Sequence, residues 1–184
     1  DVYVQHAAGK RKGHGRPVSS RAIAVDDSSA VFHSNLGAAY QALGDSDAAI
    51  ECFQEALRIA PGYVDAWHNL AAVLHTAGKH EASAGAYREL LRLCAGDARY
   101  RVALGAVLRD AGRTEEAVEQ YRLAIEAQPD FVEAHFALGL ALRSLARDAE
   151  AADCFKAVIA LQPRHARAHN NLGGILHDRG AVVP

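Results

Sequence analysis

Large apolar side chains recur along this chain at intervals that fit α-helices. Within residues 30–61, apolar residues follow one another at intervals of three and four, at Leu36, Tyr40 and Leu43 and again at Ile50, Phe53 and Leu57. Intervals of three and four place side chains on one face of a helix. The segment therefore predicts two amphipathic helices, each with one buried face.

The same order of residues returns every 34 positions. The first copy is marked by Leu36, Gly37, Tyr40, Ala49, Phe53, Ala56 and Pro61. Its counterparts are Leu70, Leu74, Tyr87 and Leu90 in the second copy, Leu104, Gly105, Leu108, Ala117, Tyr121, Ala124 and Pro129 in the third, and Leu138, Gly139, Leu142, Ala151, Phe155, Val158 and Pro163 in the fourth. A fifth copy opens with Leu172, Gly173 and Leu176. A fixed period of this size predicts stacked helical hairpins instead of a single globular core.

The period divides the chain into an array with two short flanking parts. We predict a basic arm at 1–17, a short helix at 18–29, full repeats at 30–63, 64–97, 98–131 and 132–165, and a partial fifth repeat at 166–184 with its first helix only. Within the array, helices are predicted at 31–43, 47–60, 64–77, 81–94, 98–111, 115–127, 132–145, 149–161 and 166–178. The basic arm is expected to be disordered or to be left over from cloning. Because the chain contains no methionine, we expect a fragment, an expressed segment, or both.

The short helix at 18–29 is predicted from its likeness to the later repeat ends. Residues 21–27 resemble residues 56–61, with Asp27 where the proline stands. Ser19 or Ser20 is placed to cap such a helix. We interpret this segment as the remnant of a preceding repeat's second helix.

Glycine and proline mark the ends of the predicted helices. Glycine follows the first helix in the first three full copies, where it suits a left-handed residue, but Ala146 stands there in the fourth. We therefore expect a strained or differently shaped turn at Ala146. Ala95 replaces the proline of the second copy, so Gly96 is expected to break that helix.

Glycine also occurs in the middle of first helices, at Gly37, Gly105, Gly139 and Gly173. Mid-helix glycine costs about 0.5–1 kcal/mol relative to alanine. We expect a close approach of the neighbouring helix as compensation. The facing surface is expected to be kept small by Ala49, Ala117 and Ala151.

These residues resemble the tetratricopeptide repeat, whose W-x2-L-G-x2-Y…A-x3-F…P pattern has the same period. Trp67 fills the first position of the pattern in the second copy. In the other copies that position holds His33, Arg101, His135 and His169, where an imidazole is expected to pack. The resemblance covers about residues 30 to 180. It implies an all-α fold, a right-handed α-solenoid of stacked antiparallel helix pairs with the first helices on the concave side.

Charge and composition exclude several classes of partner. The net charge of −2 gives no electrostatic reason to expect nucleic acid or a membrane surface. No apolar run reaches the length of a membrane span, and the N-terminus lacks the apolar core of a signal peptide. The three cysteines suggest neither a disulfide nor a zinc site. A cytoplasmic protein is the expectation.

No motif of catalysis or cofactor binding is present in the sequence. Nucleophile elbows, phosphate-binding glycine loops, H-E-x-x-H and paired cysteines are all missing. His165 and His169 have the spacing of one helix face, but the carboxylates and cysteines of a metal site do not accompany them. We therefore expect no enzyme activity, no cofactor and no metal.

Residues beside each Leu-Gly pair lie on the helix face away from the apolar stripe, where they are expected to line a groove. Asparagine can donate to a peptide carbonyl and accept from its amide. In this respect the array resembles the superhelical repeats of O-linked N-acetylglucosamine transferase, although Ala103 and Ala137 interrupt the asparagine series. The predicted peptide-binding residues fall into three groups with one neighbour. Asn35, Asn69 and Asn171 are predicted to form hydrogen bonds with the peptide backbone, with His68 beside them. Val102, Phe136 and Leu140 are predicted to form an apolar anchor site, and Arg109 and Arg143 to bind acidic groups.

Three functions remain open from the sequence. The first is a protein–protein interaction module, a scaffold or adaptor that binds an extended peptide with an apolar anchor and an acidic residue. The second is the substrate-recruiting region of a larger enzyme such as a glycosyltransferase, and the third is a spacer whose groove binds nothing. Self-association through a repeat end is also expected, because Leu172, Ile175 and Leu176 lack a following helix.

Overall fold

The computed structural model describes residues 30–180, except the side chain of Arg179. The predictions for the arm at 1–17, the helix at 18–29 and residues 181–184 lie outside the described residues. The described helices are α1 (Ala30–Ala42), α2 (Ser46–Ile59), α3 (Val64–Thr76), α4 (His80–Leu93), α5 (Ala98–Asp110), α6 (Thr114–Ala127), α7 (Val132–Ser144), α8 (Asp148–Leu161) and α9 (Ala166–Gly180). Between residues 30 and 180 there is no strand, so the all-α prediction is confirmed. Each predicted boundary lies within two residues of the observed one.

The chain divides into two compact units, Asp1–Ala77 and Gly78–Pro184. In the first unit, α1 packs on α2, α2 packs on α3, and α1 also contacts α3. The core of this unit joins Phe53 and Leu57 of α2 to Leu70, Val73 and Leu74 of α3. Repetition of one hairpin thus buries a continuous apolar layer between successive helices.

The second unit contains α4 to α9, each packed on the next helix in the chain. The first helices α5 and α7 also contact each other across the intervening second helix. Tyr121 of α6 and Phe155 of α8 are among the largest fully buried side chains. Since first helices contact first helices, residues at equivalent positions of successive repeats come close together on that side.

The mid-helix glycines lie against an aromatic ring of the second helix in the same hairpin. A Cβ placed on Gly105 would lie 2.5 Å from Cε1 of Tyr121. Gly37 against Phe53 and Gly139 against Phe155 would each bring that carbon to 2.8 Å. The expected close approach exists, but a ring makes it, while Ala49, Ala117 and Ala151 are fully buried beside it. Glycine is needed at Gly37, Gly105 and Gly139 because the ring occupies the space of a side chain. At Gly173 the expected close approach is wrong, since among the described residues nothing lies within 4 Å of a Cβ placed there.

The turns follow the predicted chemistry. Gly44, Gly78 and Gly112 have φ of +78°, +72° and +79°, and Gly96, which replaces the missing proline break, has +87°. Ala146 adopts φ of +57°, in the left-handed region that favours glycine. The fourth turn therefore has a left-handed residue as the glycine turns do, and the strain expected from an alanine there is tested by mutation below.

Ring nitrogens at the first position of the repeat pattern form hydrogen bonds with the carbonyl oxygen of the proline that precedes the helix. Nε1 of Trp67 donates to the carbonyl oxygen of Pro61 at 2.8 Å. Nε2 of His135 lies 2.8 Å from the carbonyl oxygen of Pro129, and Nε2 of His169 lies 2.9 Å from that of Pro163. Because a carbonyl only accepts, each imidazole donates from Nε2. Histidine therefore replaces tryptophan here as a hydrogen-bond donor.

The ends of the array differ in part from the prediction. Ile175, expected at an open edge, is 1% exposed, whereas Leu176 is 56% exposed. Leu43, expected on the buried stripe of the first helix, lies beyond α1 and is 54% exposed. α9 packs on α8, and Ile175 is buried although no described helix follows α9. The apolar edge is therefore smaller than predicted.

Candidate functional site

In the first unit, the predicted binding residues lie on the two first helices. Asn35 is exposed on α1, and His68 is exposed beside the half-buried Asn69 on α3. Asn35 and Asn69 occupy equivalent repeat positions on helices that contact each other. Their predicted contacts with a peptide backbone stay a prediction.

Phe136 of α7 is the centre of an aromatic cluster in the second unit. Its ring centroid lies 5.7 Å from that of Phe155 and 4.9 Å from that of His165. The guanidinium carbon of Arg167 lies 4.8 Å from the Phe136 centroid, a cation–π distance. The half-buried Phe136 therefore joins α7 to the start of α9 as well as presenting part of its ring to solvent.

Two turns further along α7, Arg143 is held by Asn171 of α9. Nη1 of Arg143 donates to Oδ1 of Asn171 at 2.9 Å. Nδ2 of Asn171 donates to the carbonyl oxygen of Arg167 at 2.8 Å. Both ends of the Asn171 amide are thus engaged within the chain. Asn171 positions Arg143 here, in place of the predicted contact with a peptide backbone.

The two predicted arginines have different surroundings. Nε and Nη2 of Arg109 donate to Oδ1 of Asp110 at 3.1 and 2.9 Å, so its charge is balanced by the next residue. Within the described residues, neither Arg143 nor Arg167 lies within ion-pair distance of a carboxylate. Sequence reasoning missed Arg167, although its place four residues before Asn171 puts both on one face of α9.

The remaining apolar members of the prediction are divided between core and surface. Val102 of α5 packs against the buried cluster of Ala98, Ala124 and Ala134, so it contributes to the core of the unit. Leu140 of α7 is half-buried and lies between Phe136 and Arg143 along one helix face. We call the surface formed by Phe136, Leu140, Arg143, Arg167 and Asn171 the α7–α9 patch.

Arginines on the second-helix side of this unit are paired with glutamate. Arg113 binds Glu116 at 2.6 Å and Glu81 at 2.7 Å, and both carboxylates raise the pKa of its guanidinium. Arg122 of α6 lies 3.0 Å from Glu150 of α8. A hydrogen bond from Arg147 lowers the pKa of Glu150. These arginines therefore differ from Arg143 and Arg167 of the α7–α9 patch, which have no carboxylate partner within the described residues.

Among the residues that the structure describes, the cysteine, tyrosine and metal-ligating side chains lack the surroundings of a reactive or metal-binding site. Burial raises the pKa of the Cys52 and Cys154 thiols to about 11, which disfavours the reactive thiolate. Burial also raises the pKa of Tyr121 to about 12, and its hydroxyl has no hydrogen-bond partner in the described part of the chain. Over residues 30–180, no three His, Cys, Asp or Glu side chains group so as to hold a metal ion.

Four family patterns match the chain. Three carry the description tetratricopeptide repeat, at residues 30–63, 52–83 and 132–165. The fourth, described as a TPR repeat, matches residues 105–145. No curated protein matches the chain significantly. None of the described helices has the length and apolar character needed to cross a membrane.

Solved structures of repeat proteins share this fold. A crystal structure of MamA protein is 20% identical with a TM-score of 0.74, and the match covers 82% of each chain. YrrB, described as a TPR protein with an unusual peptide-binding site, is 20% identical with a TM-score of 0.70, covering 90% of this chain and 86% of YrrB. PilF of Pseudomonas aeruginosa is 23% identical with a TM-score of 0.69, covering 85% of this chain and 71% of PilF. At these identities the likeness concerns the fold.

Proposed function

Because this chain belongs to the tetratricopeptide repeat family, we propose that it is a protein-interaction module that binds an extended peptide across the first helices α7 and α9. Its role is that of a scaffold or adaptor, without catalysis of its own. The peptide-binding site described for YrrB, which shares this fold, supports the proposal as a precedent. The cytoplasmic location expected from the sequence stays a prediction.

The observation that carries the proposal is the composition of the α7–α9 patch. An aromatic ring at Phe136 and an aliphatic side chain at Leu140 lie in line with Arg143, which Asn171 holds by a hydrogen bond of 2.9 Å. A guanidinium that is already positioned loses less side-chain entropy when a carboxylate binds. The patch therefore favours a peptide with an apolar anchor residue and an acidic residue near it.

The surroundings of the arginines decide which of them is free to bind the acidic residue of the peptide. Arg109 would have to leave Asp110 before it could bind a ligand carboxylate. Arg143 and Arg167 have no such competitor within the described residues. We therefore propose Arg143 and Arg167 as the recognition pair, with Arg109 outside it.

Selection from a random peptide library on the whole chain, followed by affinity measurement on the peptide that binds best, tests this function. We expect the selected peptides to combine Leu or Phe with Asp or Glu. The double variant Arg143→Gln, Arg167→Gln should weaken binding about tenfold or more, since charge-assisted hydrogen bonds contribute roughly 1.5–3 kcal/mol. Arg109→Gln is the matched control and should change affinity by less than about twofold, as expected for an exposed paired arginine. If only the Arg109→Gln control lost binding, the peptide would bind at a site other than the α7–α9 patch.

Self-association through a repeat end stays a prediction, now restricted to Leu176. This side chain is 56% exposed on the last described helix, whereas Ile175 beside it is buried. An exposed leucine on a helix surface favours contact with another apolar surface. Light scattering across a dilution series should show dissociation, and Leu176→Glu should abolish the associated form. A constant monomer mass at every concentration would contradict it.

A further inference from the structure

Gly174 of α9 lies beside the guanidinium of Arg143, at a place where packing does not require a glycine. A Cβ placed on Gly174 would lie 3.8 Å from Nη2 of Arg143, which is an ordinary contact. Beyond its own stretch of helix, no other heavy atom between residues 30 and 180 lies within 4 Å of that Cβ. Glycine is unfavourable in the middle of a helix. Its presence here therefore needs another reason than the aromatic rings that explain Gly37, Gly105 and Gly139.

The equivalent position carries a side chain in each of the four full repeats. It holds Ala38, Ala72, Ala106 and Leu140. At Gly174 the first helix presents only its backbone. The space that a side chain would fill there adjoins Nη2 of Arg143.

The hydrogen bonds of Arg143 leave one edge of its guanidinium unused. Nη1 donates to Oδ1 of Asn171 at 2.9 Å, whereas Nε and Nη2 have no partner in the described ranges of the chain. A planar guanidinium binds a carboxylate through two parallel hydrogen bonds when two neighbouring N–H groups are available. The edge formed by Nε and Nη2 of the exposed Arg143 meets that condition. Gly174 leaves the Nη2 end of this edge uncovered.

We propose that Arg143 and Gly174 form the subsite for the ligand carboxylate, which binds side-on to Nε and Nη2 above the α9 backbone. This inference rests on the proposed function and adds the atoms that hold the carboxylate. Because Nη1 stays bonded to Asn171, the plane of the guanidinium is fixed before the ligand arrives. Gly174 determines specificity, since a larger residue there would occupy the place of the carboxylate.

Affinity of the whole chain for the library-selected peptide tests the subsite through one substitution at two adjacent glycines. Gly174→Leu should weaken binding about tenfold or more, because the new side chain fills the space beside Nη2. Leucine occupies this position in the preceding repeat and favours helix, so circular dichroism should show an unchanged fold. Gly173→Leu is the matched control, because Gly173 is exposed and a Cβ there meets no described atom within 4 Å. It should change affinity by less than about twofold.

Two results of this comparison would overturn the subsite. Equal affinity of the parent and Gly174→Leu would show that the ligand does not use the space beside Nη2. Equal losses in Gly174→Leu and Gly173→Leu would show that the effect is not specific to position 174.

Arg143→Lys separates the side-on pair of hydrogen bonds from the effect of charge alone. Lysine keeps the positive charge but lacks the planar fork, so affinity should fall about tenfold. Unchanged affinity would overturn the side-on geometry. The proposed function fails under a different result, in which the Arg143→Gln, Arg167→Gln double variant binds as the parent does. The subsite alone fails if that double variant weakens binding and Gly174→Leu does not.

Discussion

At the scale of single residues, histidine at the tryptophan position has a structural role. His135 and His169 each place Nε2 within hydrogen-bond distance of a proline carbonyl six residues earlier, as Trp67 places its indole nitrogen. His165 uses Nδ1 to accept from the backbone N–H of Ala168 at 3.1 Å. The three imidazoles therefore form hydrogen bonds at the starts of α7 and α9, which gives these histidines a structural role.

Replacing His135 with phenylalanine should remove this support. The ring shape is kept but the hydrogen bond to Pro129 is lost, so we expect destabilisation of about 0.5–1.5 kcal/mol. His135→Trp is the control, because its indole N–H can donate as that of Trp67 does. Urea unfolding measures both variants. Equal stability of the parent and His135→Phe would show that the bond has no net effect.

The contact between Gly105 and Tyr121 gives a second prediction at this scale. Gly105→Ala should destabilise by about 1–3 kcal/mol, because the new Cβ would lie 2.5 Å from a ring carbon in a packed core. Gly173→Ala is the matched control, since nothing lies within 4 Å of that position. Helix propensity should make the control neutral or stabilising by up to about 1 kcal/mol. Thermal unfolding of both variants should therefore show opposite or clearly unequal shifts.

At the scale of elements, the sequence determines the helices because each boundary carries its own signal. The period fixed their number, and glycine or proline fixed their ends, so even the substituted turns at Gly96 and Ala146 were predictable. The contacts within the candidate site were not predictable from the sequence. Adjacent side chains on a helix seldom face each other, so the Arg109–Asp110 pair had no sequence signal. The engagement of Asn171 by Arg143 depends on the packing of α9 beside α7.

The turn between α7 and α8 offers a reciprocal test. Ala146→Gly should stabilise by about 0.5–1 kcal/mol, because glycine adopts φ of +57° without steric cost. The reverse change at the equivalent turn, Gly112→Ala, should destabilise by about 1 kcal/mol. Chemical denaturation measures both free energies of unfolding. A destabilised Ala146→Gly would mean that the turn is not strained.

At the scale of the whole molecule, positive charge is distributed unevenly within the second unit. Arginines near the second helices are balanced by Glu81, Glu116 and Glu150. Arg143 and Arg167 on the first-helix side are not balanced by any carboxylate in the described residues. The net charge of −2 conceals this difference. A local positive surface on a nearly neutral chain favours selective recognition of an acidic segment over general binding to polyanions.

The pairing of Glu150 with Arg147 and Arg122 predicts a dependence of stability on pH. Because its pKa is lowered in the folded state, its contribution is present above the unfolded pKa and is lost as the pH falls through the folded value. Glu150→Gln should therefore be less stable than the parent at neutral pH, and the difference should vanish in acid. Denaturation at a series of pH values measures this. A difference that persists in acid would assign the effect to packing instead of charge.

NMR titration of the isotope-labelled chain with the selected acidic peptide maps where the peptide binds. We expect chemical-shift changes centred on Phe136, Leu140, Arg143, Arg167 and Asn171, and their loss when the acidic residue of the peptide is replaced by its amide. Shift changes confined to the second helices would show that the peptide binds outside the α7–α9 patch. Equal changes with the amide peptide would show that the patch does not recognise the acidic residue.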